Sequence, residues 1–390
     1  MEQDKPERQY RLYRYRAIVS KKTEQRIEEH FQATQKIFNF LRAENLKATQ
    51  ANGRELPLKE LIRLSFEEVK KFEGINRSIA YPTAYRLYAG NESAHRHGKP
   101  TVMEKVVGAN DASFSINFYR KNVTPAGKKR AKITIGGIGE VTIVYHRPLP
   151  EGAECRQLIV RRNASRQYFV MLGITIPKPV LPPLLVKKAI GLDFSVPKLY
   201  VSSDKEIAPD PAKIHQYEGF EPRISKAQAK LSRLKRGGKN YEKQRLKLAR
   251  LYQKVENRRR DFLHKETKRL AKEFDFIGVE TLSIKQIEMR QNLARHVLDD
   301  SWARFLFLLR YKMKEANKIL RFVPVYYPSS KTCHRCGYIN HGLTLSDRIF
   351  ECPHCHAKID RDYNAAKNIR DKALRDAGFR IHYIPVAATT

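Results

Sequence analysis

The chain has 390 residues, 41% of them hydrophobic, and its 76 Lys and Arg against 41 Asp and Glu leave a formal net charge of +35. That length allows about two to four domains, and the apolar fraction is enough to build their cores, which excludes a basic tail without a fold. No run of about 18 apolar residues exists to span a bilayer, so nucleic acid is the polyanion expected to neutralise the excess charge, with an acidic membrane surface as the weaker alternative.

The opening segment, MEQDKPERQYRLYRYRAIV, has no signal-peptide apolar stretch. A reducing, intracellular compartment is therefore expected. Its five cysteines are then not expected to form disulfides. Residues 8–19 read as a strand of alternating Arg and Tyr or aliphatic residues. A helix follows with Thr23 as its N-cap and Ile27, Phe31, Ile37, Phe38 and Leu41 on one face. Helical periodicity returns in LKELIRLSFEEVKKF and, after Pro82, in TAYRLYAGNESAHRH. From Asp111 the pattern becomes short alternating runs with turn residues between them, including a hairpin across Asn163–Arg166. These strands can close with the strand at 8–19 into a small barrel that carries the helices at 20–108 as an insertion. Cys155 lies in one of the strands and is expected to be buried.

The Pro-rich stretch PKPVLPPLLVKK (177–188) is expected to be a boundary between domains. The apolar strand AIGLDF follows, and then a basic stretch in which residues 223–272 hold 19 Lys or Arg and four acids. Gly237–Gly238 splits that stretch into a two-helix hairpin, with Leu231 and Leu234 on one arm and Leu246, Leu251 and Val255 on the other. FDFIGVE is a second strand of the buried type, DDSWARFLFLLRYKMKEANK an amphipathic helix with Trp302 on its apolar face, and LRFVPVYY a third strand. Strands alternating with helices predict an α/β layer.

Cys333-x-x-Cys336 and Cys352-x-x-Cys355 stand fifteen residues apart, the spacing that offers four thiolates to one tetrahedral zinc ion. Four thiolates leave no open position for water, so the ion is expected to be structural. A redox role for one pair is the alternative, and His334, His354 and His356 are expected to be spectators. Asp193 ends AIGLD, Glu280 ends FDFIGVE, and Asp360 and Asp362 open the helix DYNAAKNIRDKALRDAG. Taken singly, a strand-end acid is a turn residue and an Asp before a helix is an N-cap. Taken together, two acids at strand ends and one at a helix start can converge at the edge of one sheet. Hard carboxylate oxygens suit Mg²⁺, and two such ions can drive in-line phosphodiester hydrolysis. The pattern predicts a metal-dependent nuclease.

IGLDFSVPKLYVSSD, FIGVETLSI, DDSWARF, YYPSSKTCHRCG and CPHCHAKIDRDYNAAKNI, in this order over residues 188–385, resemble the signatures of TnpB, the transposon-encoded RNA-guided nuclease related to compact type V CRISPR effectors. The resemblance implies a split RuvC (RNase H-like) nuclease with a zinc ribbon inserted before its last acidic motif. It implies Asp193, Glu280 and Asp362 as the catalytic acids holding two Mg²⁺, with Asp360 a neighbour or cap, and Cys333, Cys336, Cys352 and Cys355 holding one Zn²⁺. The implied segments are a barrel strand at 1–19, a helical recognition insert at 20–110 and a wedge-like β-barrel at 111–180. RuvC parts at 181–325 and 359–385 then flank the zinc ribbon at 326–358, and 386–390 is a tail. Guide RNA and target double-stranded DNA are the implied partners of a monomeric ribonucleoprotein that reads a short motif beside the target. Arg233, Lys235, Arg236, Lys239, Lys243, Arg258, Arg259 and Arg260 are candidates for phosphate contacts. Tyr13 and Tyr15 either stack on unpaired bases or cover the barrel. Two other functions share this fold and charge: an RNA-guided DNA-binding repressor without cleavage, and a transposon-associated DNA-binding protein without RNA.

Overall fold

In the computed structural model, which describes residues 7–96, 112–117, 123–179, 184–195, 198–205, 219–281, 299–344 and 346–379, the chain divides into two units. The first is Met1–Pro179 with Arg245–Ala249, and the second is Val180–Gln244 with Arg250–Thr390. The division falls within the Pro-rich stretch. Among the described residues no helix is long and apolar enough to cross a membrane.

The first unit is built on a strand that serves two partners. β1 (Arg8–Ile18) pairs through Arg8–Arg16 with β7 (Tyr168–Pro177) and through Ala17–Ile18 with β5 (Gly139–Val144). Around it runs a seven-stranded sheet in the order β2 (Ala112–Asn117), β6 (Glu154–Arg162), β7, β1, β5, β4 (Arg130–Ile135), β3 (Val123–Pro125). The expected closed barrel is instead a curled sheet with β2 and β3 at its ends. β3 has three residues and ends in Pro125, which has no N–H to extend a ladder. The turn between β6 and β7 falls where the sequence puts it. Asn163 Oδ1 accepts from the N–H groups of Ser165 and Gln167 at 3.2 and 2.9 Å, the local bonding that suits Asn to turns.

Alternation along β1 sends Tyr13 and Tyr15 inward, 5% and 1% exposed, where Tyr15 donates its hydroxyl proton to Arg147 O at 2.7 Å. Bases cannot reach either ring, so the base-stacking role for Tyr13 and Tyr15 is corrected to core packing; the exposed positions of the strand are Arg8, Tyr10, Leu12, Arg16 and Ile18. Helix α1 (Lys21–Asn52) starts earlier than the sequence pattern suggests. Its N-cap is Ser20, not Thr23: Ser20 keeps an extended backbone and its Oγ accepts from Thr23 N at 3.1 Å. Ile27, Phe31, Ile37, Phe38 and Leu41 are buried in the unit's core, which the apolar faces of α2 (Leu58–Val69) and α3 (Ala80–Arg96) complete.

His30 ties α1 to this core. Its Nδ1–H donates to Arg26 O at 2.7 Å, and its Nε2 accepts from Asn76 N at 3.1 Å. Burial holds its pKa below the ordinary value of 6.5, against the opposing pull of the Arg26 carbonyl. A protonated ring would face the Asn76 N–H with a second N–H. The folded protein therefore binds fewer protons here than the unfolded chain, and the stability His30 contributes is complete above pH 6.5 and lost as pH falls below it. The unfolding midpoint of the wild type should drop across this window, and His30→Gln, which keeps an acceptor but cannot titrate, should flatten that slope. Equal slopes in the two proteins would remove His30 as the source.

The second unit carries a four-stranded sheet in the order β11 (Ile319–Val323), β10 (Phe276–Glu280), β8 (Ala189–Ser195), β9 (Leu199–Ser202). β10 is parallel to β8 and β11, and β9 returns antiparallel beside β8. The basic stretch forms α4 (Glu221–Ser232) and α5 (Lys239–Glu273), separated by Gly237 at φ 80° and capped by Gly238. α6 (Asp299–Glu315) and α7 (Arg361–Asp376) are the other helices among the described residues of this unit. Period-two alternation sends Ile190, Leu192, Ile277 and Val279 to one face of the sheet. There they pack with Phe262, Leu263 and Leu270 of α5 and Trp302, Phe305 and Leu309 of α6. Trp302 stacks on Phe305 at 5.2 Å, the core position expected of it.

Candidate carboxylate site and metal knuckle

The other face of this sheet holds the acids. In β8 the residues that alternate away from Ile190 and Leu192 are Ala189, Gly191 and Asp193; in β10 they are Phe276, Gly278 and Glu280. Gly191 pairs with Gly278 and Leu192 with Val279, so Asp193 and Glu280 follow as neighbours at the carboxyl ends of parallel strands. Glu280 Oε1 accepts from Phe194 N at 3.1 Å, across from β10 to β8.

The two glycines determine what lies over this face. A Cβ on Gly191 would run into Ala366 O and lie 2.6 Å from Arg370 N, and one on Gly278 would lie 2.8 Å from Ala373 Cβ and 3.0 Å from Ile369 O. Helix α7 therefore rests directly on the strands, with Ala366 over β8 and Ala373 over β10. Asp362 stands one turn ahead of Ala366, in the first turn of the helix. Asp360 is the N-cap, its Oδ1 accepting from Tyr363 N at 2.9 Å, and Asp362 Oδ1 accepts from Arg361 Nε and Nη2 at 3.2 and 3.1 Å. Lys205, just past β9, places its Nζ 4.9 Å from the Tyr363 ring, which ties the same turn to the sheet's β9 side. Asp193, Glu280 and Asp362 are all partly exposed. The glycine two residues before each strand acid, Gly191 before Asp193 and Gly278 before Glu280, was legible in IGLD and IGVE, and sequence reasoning missed it.

Gly191→Ala should push α7 off the sheet, because the obstacles are backbone atoms and cannot swing aside. We expect a loss of about 1–3 kcal/mol of stability, the usual cost of overpacking, whereas Gly219→Ala, with nothing within 4 Å, should cost far less. Equal denaturation midpoints for the two variants would show that α7 does not bear on Gly191.

The knuckle is built from two short turns. Cys333–Cys336 and Cys352–Cys355 bring their four Sγ atoms within 4.8 Å of one another, with Cys333 to Cys355 at 3.7 Å and Cys336 to Cys352 at 3.5 Å. A tetrahedron with Zn–S bonds of about 2.3 Å has S–S edges of about 3.8 Å, so the donor set fits zinc. Among the described residues this is the one group of three or more Cys, His, Asp and Glu donors that converges to metal-holding distance; Asp193, Glu280 and Asp362 share one side of the sheet without forming such a cluster. Burial pushes the Cys333 thiol up. At Cys352 burial opposes the thiolate, but the N–H groups of Cys355 and His354 and the neighbouring sulfurs outweigh it and bring the pKa down to about 6. The chain returns from the knuckle through the hairpin of β12 (Ile349–Glu351) and β13 (Lys358–Asp360), whose last residue is the cap of α7. Phe350, Cys333 and Cys352 are buried together as a small core of its own.

Arg233, Lys235 and Arg236, in the connection between the two basic helices, and Lys239, Lys243 and Arg258 of α5 are exposed, and Arg259 and Arg260 partly so. The Arg258 guanidinium sits 4.8 Å over the Phe220 ring, and Arg260 donates to Asn257 Oδ1 at 3.1 Å. Cys155 is buried in β6 as expected.

Fold and site define an α/β protein whose last described helix is entered through a four-cysteine knuckle, preceded in the chain by a unit built on a curled sheet. Residues 174–291 match the OrfB_IS605 family, described as "Probable transposase", and residues 302–369 match the Cas12f1-like TNB domain family. A Streptomyces pristinaespiralis protein named "Putative RNA-guided DNA endonuclease" is 33% identical over 242 residues, 62% of this chain and 59% of that protein. The "TnpB-like protein L79" of Acanthamoeba polyphaga mimivirus is 32% identical over 135 residues, 33% of this chain and 25% of that protein. The solved structure described as "Cryo-EM structure of the Cas12f1-sgRNA-target DNA complex" shares the fold, with TM-score 0.59 and 14% identity over 90% of this chain and 83% of that one. Each match covers part of the chain, and together they make it similar to proteins of the TnpB family. It spans little more than half the length of the Streptomyces relative.

Proposed function

We propose that the protein is an RNA-guided DNA endonuclease of the TnpB type, hydrolysing DNA phosphodiesters at a RuvC carboxylate site beside a short target-flanking motif. The observation that carries this reading is the alignment of Asp193, Glu280 and Asp362 on the α7 side of one sheet, in a chain of net charge +35. So much positive charge gives little other reason to gather anions. Divalent cations such as Mg²⁺, when bound, would supply water activation and stabilisation of the leaving oxygen. Asp193 and Glu280, on rigid neighbouring strands, would hold two of the ligand positions. Asp362 would supply the third from the first turn of α7 and would exchange its present partner Arg361 for the cation. Asp360 holds the helix start through its bond to Tyr363 N and is not itself a ligand in this scheme. The knuckle, with a full set of four thiols, has a structural role. The exposed cations of α5 and of the connection that leads into it would follow a guide–target duplex through its phosphates, a sequence-independent contact that weakens with salt.

The test is cleavage of a plasmid carrying a guide-matched target beside randomised flanks, by protein produced with RNA from its own locus, with and without Mg²⁺. Cutting that needs Mg²⁺, the RNA and one flanking motif supports the reading. Protection of the target without cutting would replace it with a guided binder, and activity that survives RNase would replace it with a protein that uses no RNA.

A further inference from the structure

One face of α7 is occupied by side chains that the proposed chemistry does not use. Asn364, Asn368 and Asp371 recur at positions i, i+4 and i+7 and are buried. Asn is a poor helix former, so a pair of them inside a helix needs another reason, and their bonds provide one. Asn364 Nδ2 donates to Thr332 O at 2.7 Å, and its Oδ1 accepts from His334 N at 3.0 Å. Asn368 Nδ2 donates to Thr332 O at 2.6 Å and to Ser329 O at 2.8 Å. Asp371 Oδ2 stands 3.3 Å from His334 Nδ1. Every one of these contacts reaches the segment Ser329–His334 that presents Cys333. The amides grip the residues on either side of a thiolate ligand.

A second connection runs through the chain itself. Cys355 is followed by β13, whose final residue Asp360 caps α7, and Arg361 N donates to Arg348 O at 2.9 Å beside that strand. The knuckle thus holds α7 ahead of its N-terminus through β13 and along its flank through the two asparagines. The turn between these grips carries Asp362.

We propose that Asn364 and Asn368 are positioning residues that couple occupancy of the four-cysteine site to the placement of the first turn of α7, so that the metal knuckle sets the position of Asp362. The part concerning Asp362 rests on the nuclease reading above; the coupling of knuckle to helix does not. When the thiol site loses its cation, the turns that present Thr332 and His334 lose their restraint. Asn364 and Asn368 are then left buried without their carbonyl and N–H partners, an expense that loosens the helix start. Two grips on one helix are also why the insertion can be a separate small core and still report on the sheet.

Hydrogen exchange on the full chain tests this, comparing zinc-loaded with chelator-stripped protein in the wild type and in the Asn364→Ala/Asn368→Ala variant. Stripping the wild type should speed exchange across 361–368 by about 5–150-fold, the usual span of a coupling between sites, while 276–280 in β10 stays protected. In the variant the same residues should exchange faster with zinc bound, and stripping should add much less than in the wild type, only the part carried by β13. If stripping leaves 361–368 unchanged in the wild type, or changes it equally in wild type and variant, the coupling is overturned. Loss of protection in β10 with zinc bound would mean that the double variant misfolds; the single Asn368→Ala variant, which removes only the bonds to Ser329 O and Thr332 O, then takes its place with the same expectations.

Mn²⁺ binding followed by electron paramagnetic resonance, in the same samples and in Asp193→Ala, separates this proposal from the reading beneath it. Binding that needs Asp193 and weakens with zinc loss supports both. Binding that needs Asp193 and ignores zinc, with a static α7, sinks the coupling and leaves the nuclease site. A helix that responds to zinc while no Asp193-dependent Mn²⁺ binds leaves the coupling and sinks the site.

Discussion

Alanine at Asp193, Glu280 or Asp362 should reduce DNA cleavage by at least about 10²–10³-fold, the scale of losing one electrostatic stabiliser at a reacting centre, while RNA-dependent binding of target DNA persists. Binding is expected to survive because it draws on an excess of 35 positive charges spread over the chain. Deleting one acid makes that excess larger, not smaller. Glu280→Ala also removes the acceptor for Phe194 N, and an unsatisfied backbone N–H costs about 1–3 kcal/mol. Asp362→Ala removes a negative charge from the first turn of α7, where the helix dipole favours one. Asp193→Asn, which keeps shape and loses charge, controls for packing. Cleavage and filter binding should be measured side by side on the same samples; cleavage that survives in any of the three alanine variants removes that residue from the site.

Removing the knuckle's metal should have the largest effect on folding. Structural zinc contributes roughly 10–16 kcal/mol of apparent binding free energy coupled to folding, and the segment it closes has little else. Its core consists of Phe350, Cys333 and Cys352, with Leu343, Cys355, Ala357 and Ile359 packed against it. A core of that size cannot stand alone without a metal or disulfides. A chelator, or Cys352→Ser, should open residues 326–358 to limited proteolysis and abolish nuclease activity together. The strands β8 and β10 should stay protected, because their apolar face is held by α5 and α6 and not by the knuckle. A metal-free preparation that keeps both its protease resistance and its activity would show that the four cysteines are dispensable.

Much of this was readable from residue pattern alone, for reasons that are local. Two Cys-x-x-Cys turns fifteen residues apart need only their spacing to specify a tetrahedral thiol set, and the four sulfurs do converge. The Gly237–Gly238 break between two basic helices and the Asn163 turn follow from backbone preferences of single residues. Tyr13 and Tyr15 were not decidable in the same way. An Arg/Tyr alternation is equally compatible with rings turned toward bases or toward a core, and the pairing of β1 with β7 and β5 made the choice. The cap of α1 moved to Ser20 because either hydroxyl can cap and only the actual backbone path decides which one lies outside the helix.

The sequence by itself determined the two kinds of donor, their order along the chain and the strand and helix ends on which the acids sit. Each of these depends on residue type, spacing and periodicity over a few neighbours. Only the tertiary structure decided that Asp193 and Glu280 lie on the same face of the sheet, that α7 covers that face, and that the asparagines of α7 hold the knuckle. Those facts join residues as distant as Gly191 and Ala366, or Thr332 and Asn368. They follow from parallel register and from glycines that let a helix backbone touch a strand, and contact between distant residues has no short-range signature to read.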